Sequence, residues 1–91
     1  MSWSVSAIGK PAAVKAALAP QFQRAKDGTA NIAAEQAAVA YVEAAVNVQL
    51  DFLAGGAKPP AVQVTASGSA RSDGSASEVR MEVKTLHGFV E

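Results

Sequence analysis

The chain has no cysteine, so neither a disulfide nor a thiolate metal site can staple it. It also has no net charge, because eight basic and eight acidic residues cancel. That argues against a generic nucleic-acid binder, whose affinity comes from an excess of Lys and Arg over phosphate, and no DNA or RNA partner is expected. His87 is the single histidine. A catalytic histidine needs a nucleophile and an orienting carboxylate, and no serine here stands in a Gly-x-Ser-x-Gly elbow. One histidine without cysteine also gives no transition-metal site. The expectation is therefore a protein that is no enzyme, with no catalytic residue, no metal and no cofactor. Met1-Ser2-Trp3-Ser4-Val5 shows no basic segment followed by an apolar run, so no signal peptide is expected.

What the chain does have is a long helical pattern from Ala30 to Leu53. At 3.6 residues per turn, Val39, Val42, Val46, Leu50 and Leu53 form its central stripe. Tyr41, Ala45, Val48 and Phe52 widen that stripe on one side, and alanines fill much of the rest. Glu35, Glu43, Asn47 and Asp51 read as a polar ridge. The polar interruptions argue against a membrane span. A helix apolar nearly all round must be covered on more than one side. In 91 residues without disulfide or metal, self-association is the remaining route to a stable scaffold. A homo-oligomer built through the helix at 30–54 is expected.

The remaining segments read as strands and one more helix. Trp3, Val5 and Ala7 alternate with Ser2, Ser4 and Ser6, the pattern of a half-buried strand. Gly9-Lys10-Pro11 ends it, and Pro11 suits the first position of a helix. That helix carries Val14, Leu18 and Phe22 at i, i+4 and i+8, with Pro20 predicting a kink or break near Ala19. Asp27-Gly28 is a turn signal, Thr29 or Asn31 can cap the second helix, and Gly55 suits a left-handed cap at its end. Val62, Val64 and Ala66 then alternate with polar residues, as do Val79, Met81 and Val83. Folding these strands about Asp73-Gly74 sets Ala66 opposite Met81 and Val64 opposite Val83. The same register sets Ser67 opposite Arg80, Thr65 opposite Glu82 and Gln63 opposite Lys84. Apolar meets apolar throughout, and a slip of one residue would put charge in the core. Met81 is thereby expected in the core.

The order is β-α-α-β-β, one α+β domain spanning 1–91. A three-stranded antiparallel sheet is expected, covered on one face by a helical hairpin. Its other face is wet or functional. Glu78, Arg80, Glu82 and Lys84 alternate in sign along one strand face, which suits either a solvated edge or an anion-holding surface. The segment 67–75 is small and hydroxyl-rich, and Arg71 in it can serve as a phosphate fork. No Gly-Lys-Ser/Thr follows, so it is not a P-loop. Trp3, the single tryptophan, suits burial against Phe22 or Leu18 more than base stacking.

Ser2-Trp3-Ser4-Val5-Ser6-Ala7-Ile8-Gly9-Lys10-Pro11, Val62-Gln63-Val64-Thr65-Ala66-Ser67-Gly68 and His87-Gly88-Phe89-Val90-Glu91 together resemble a class of small bacteriophage proteins. The resemblance implies one of two roles for an oligomer of this size. One is a sponge that sequesters a cyclic-nucleotide or ADP-ribose-type signal of host defence. The other is a minor virion or assembly component of capsid, neck or tail. A sponge needs phosphate donors and a wall for a base, and Arg71, Arg80, Lys84, Lys10 and Trp3 are the candidates. The implied location is the cytoplasm of an infected host cell or the virion.

Overall fold

A computed structural model describes residues 2–70 and 76–86. They form β1 (Ser2–Gly9), α1 (Pro11–Gly28), α2 (Ala33–Ala54), β2 (Ala61–Ala70) and β3 (Ala76–Leu86). The three strands make one antiparallel sheet in the order β1-β2-β3, so the α+β arrangement expected from the pattern is the one observed. The hairpin register is also as expected. Ala66 faces Met81, Val64 faces Val83, Ser67 faces Arg80, Thr65 faces Glu82 and Gln63 faces Lys84. The turn at Asp73-Gly74 lies outside the described residues.

Both helices cover one face of the sheet. α1 packs on β1 and β2, while α2 packs on β2 and β3. The core forms where their stripes meet the inward residues of the strands. Val14, Leu18 and Phe22 come from α1, Val39, Val42, Val46 and Leu50 from α2, and Trp3, Val5, Val62, Val64 and Ala66 from the sheet. Two ion pairs join the helices on the flank they share, Lys26 with Glu43 at 2.9 Å and Lys15 with Asp51 at 2.8 Å. The exposed Lys15–Asp51 pair contributes little stability, but the two pairs together mark which flank of α2 faces α1.

Several local expectations are corrected. α1 runs without interruption through Pro20, because Pro20 lies on the exposed side and its neighbours Leu18 and Phe22 are anchored in the core. Asp27-Gly28 belongs to the last turn of α1 rather than to a turn. Thr29 closes that helix, its hydroxyl donating to the carbonyl of Ala25 at 3.1 Å. It does not cap α2, whose N-cap is Ile32 without a side-chain cap. Gly55 is right-handed, with φ −75°, so the left-handed cap is not used. Glu35 does not belong to the polar ridge, because it is fully buried. Met81 is not a core residue either. Two helices reach over β1, β2 and part of β3 but stop short of its outer half, leaving Val79 40% and Met81 39% exposed.

Candidate interaction surface

α2 has a second apolar stripe beside the one that enters the core. Ala34, Ala38, Tyr41, Ala45, Val48 and Phe52 are spaced 4-3-4-3-4, the interval of a seam between paired helices. Nothing among the described residues covers it. Tyr41 is 76%, Val48 69% and Phe52 83% exposed. The ion pairs to α1 involve Glu43 and Asp51 on the other flank, so the seam faces away from α1. A groove of about 360 Å³ joins it to the sheet, lined by Val48, Gln49, Phe52, Leu53, Val83 and Thr85. Val79 and Met81 continue the apolar surface along the inner face of β3. Scattered exposed apolar residues are ordinary on a soluble surface, whereas a contiguous patch marks a contact site. By length and composition alone α2 is also apolar enough to cross a membrane, although its central stripe is committed to the core.

The opposite face of the sheet is mostly polar, with Ile8 an exposed apolar residue on it. Ser2, Ser4 and Ser6 of β1, Thr65, Ser67 and Ser69 of β2, and Glu78, Arg80, Glu82 and Lys84 of β3 alternate with the inward-facing residues. Ser2, Ser4, Ser67, Ser69, Glu78 and Arg80 border a shallow depression of about 400 Å³. Arg80 is held by its own strand neighbour, with Nε and a terminal nitrogen both 3.0 Å from one oxygen of Glu78.

Of the phosphate and base candidates, Trp3 and Arg80 border the same depression, but the set as a whole is not brought together. Arg80 and Lys84 share the outer face of β3, but four residue steps along the strand set them about 13 Å apart. Lys10 precedes α1 and donates to the carbonyl of Pro59 at 3.0 Å. Trp3 is buried on the inner face, on the side of the sheet away from Arg80 and Lys84, where it can present no ring to a ligand held by them. Arg71 and His87 lie outside the described residues.

Trp3 has a partner that the sequence reading missed. Its indole N–H donates to Oε1 of Glu35, which is fully buried. The second oxygen, Oε2, has no hydrogen-bond partner. The signal for this burial was present in the periodicity: Glu35 precedes Val39, Val42 and Val46 by 4, 7 and 11 residues, which puts it on the core stripe. Gly68 lies opposite Trp3 in the register. A Cβ at that position would fall 2.7 Å from the indole nitrogen, so glycine leaves the space that the indole occupies against β2.

Compared with family models, with curated proteins and with solved structures, the chain matches none.

Proposed function

We propose that this protein works without catalysis, as a self-associating building block of the kind that a minor virion or assembly component represents. The observation that carries the reading is the continuous apolar surface made by the α2 seam and the inner face of β3. It is broad and shallow, which suits contact with another macromolecular surface rather than enclosure of a small molecule. The low internal capacity of a 91-residue chain supports the same reading, since association supplies core that the monomer lacks.

A second reading, sequestration of a nucleotide signal, is favoured by the outer face alone. There the hydroxyls of Ser2, Ser4 and Ser67 border a depression that Arg80 also lines, a surface able to donate to a phosphate once Arg80 releases Glu78. Native mass spectrometry of the full chain with cyclic dinucleotides, cyclic mononucleotides and cyclic ADP-ribose isomers tests both readings. The building-block reading expects an oligomer that retains no nucleotide. Retention of a nucleotide, released unchanged by heat, transfers the conclusion to sequestration. A monomer at tens of micromolar overturns self-association.

A further inference from the structure

The geometry points to the partner and the register of that association: a second copy of this chain, added edge to edge along β3 in antiparallel fashion, with Met81 on the two-fold axis. The inference rests on the self-association proposed above and specifies how it occurs.

β3 is an edge strand, so one side of its backbone can accept a further strand. Charges on an edge usually oppose such pairing, but here their signs alternate. In antiparallel self-pairing centred on Met81, residue numbers that face each other sum to 162. Glu78 then faces the second copy's lysine at position 84, and Arg80 faces its glutamate at position 82. All four charges on the outer face find opposite charges. On the inner face Val79 meets valine 83 of the second copy and Met81 meets its own equivalent.

Neighbouring registers fail. Centring on Arg80 sets arginine against arginine and Glu78 against Glu82. Centring on Glu82 sets glutamate against glutamate and Arg80 against Lys84. A one-residue slip drives charges against the apolar face. Shifts of four residues leave half of the charges unmatched. Parallel pairing in register sets every charge against its like. Cross-strand charge pairs act in both directions, favourable when opposite and unfavourable when alike, so only one register matches all four charges of the alternating row.

The helices fit this arrangement independently. A two-fold axis perpendicular to the sheet keeps the helices of both copies on one face. α2 packs on both β2 and β3, so the equivalent helix of the second copy stands about two strand spacings away. At roughly 4.8 Å each that is about 9.6 Å, within the 8–10 Å of packed helices. The flank turned toward it is the Tyr41–Ala45–Val48–Phe52 seam, with small Ala45 midway between the bulkier Tyr41 and Val48. The uncovered Val79 and Met81 come under the resulting helix pair. One contact therefore covers both halves of the apolar surface.

The test uses the full chain in sedimentation equilibrium. Arg80→Glu creates two symmetric like-charge contacts with Glu82 and is expected to weaken the dimer about tenfold or more. The swap Arg80→Glu with Glu82→Arg restores opposite pairs and is expected to recover wild-type association. Met81→Cys is expected to form a disulfide-linked dimer on mild oxidation, since facing Cα atoms in an antiparallel pair lie about 4.5–5.5 Å apart, within disulfide reach. Val79→Cys, facing position 83 instead, is expected to stay unlinked. If the wild type sediments as a monomer, or partitions onto phosphatidylcholine vesicles instead of associating, both this inference and the self-association fall. If the wild type is a dimer that Ala45→Arg disrupts while Arg80→Glu leaves it unchanged and Met81→Cys does not cross-link, self-association stands and this register is overturned.

Discussion

Trp3, Glu35 and Gly68 form a buried group whose members constrain one another. The indole covers a carboxylate that would otherwise have no hydrogen bond at all, since Oε2 of Glu35 has no partner. Leaving a buried polar group unsatisfied costs about 1–3 kcal/mol, and more when it is charged. Trp3→Phe keeps most of the apolar ring but removes the donor, so urea unfolding should show a loss of at least about 2 kcal/mol. Gly68→Ala tests the other side of the ring. The added Cβ would meet the indole at 2.7–3.0 Å, and a forced core shift of this kind costs about 1–3 kcal/mol. Unchanged stability together with an unshifted tryptophan emission maximum would show that the indole does not lie against β2 as described. Surface serines such as Ser4, which is exposed, should tolerate alanine within about 0.5 kcal/mol.

At the scale of elements, α1 accommodates Pro20 because tertiary packing outweighs a local penalty. The proline withholds one helical hydrogen bond and crowds the preceding turn, yet Val14, Leu18 and Phe22 hold the helix against the sheet on both sides of it. Pro20→Ala should therefore raise stability by about 2 kcal/mol, the helix-propensity gain less the entropy that proline removes from the unfolded chain. A lowered melting temperature would indicate that Pro20 supports the native geometry instead. The same competition explains which features were legible in the sequence. Strand alternation and hairpin register are two-residue patterns, and a single slip would expose the whole set, so Val64, Ala66, Val79 and Val83 announce their pairing. Helix caps depend on one or two backbone angles, and tertiary contacts set those: Thr29 bonds backward to α1 rather than forward to α2. Met81 was misplaced because alternation reports which face a residue occupies but not whether a helix covers that part of the face. Accordingly Met81→Ala should cost a monomer less than the 2–5 kcal/mol of a buried methionine. The ligand candidates scattered for a related reason. Trp3 and Arg80 are close along the sheet but on opposite sides of it, and a sheet separates its faces.

At the scale of the molecule, the helix layer is too narrow for its sheet. α1 and α2 cover β1, β2 and the Val83 end of β3, Val79 and Met81 stay exposed, and a groove joins the apolar seam of α2 to Val83. If the protomer associates as proposed, it gains core by doing so, and its stability is then linked to oligomerisation. Anything that binds the folded state alone stabilises it by an amount that grows with its concentration, and under the proposed self-association the binder is the protein itself. The melting temperature should rise by roughly 5–15 °C across a hundredfold range of protein concentration, as expected when about 1–3 kcal/mol is added to a domain of this size. The rise should shrink for Arg80→Glu and return for the Arg80→Glu, Glu82→Arg pair. Added salt should also reduce it, because cross-strand charge pairs at a solvated edge are screened. A melting temperature independent of concentration, in scans shown to be reversible, would mean that the exposed seam contributes nothing to the folded state and that Tyr41, Val48 and Phe52 serve a partner other than this chain.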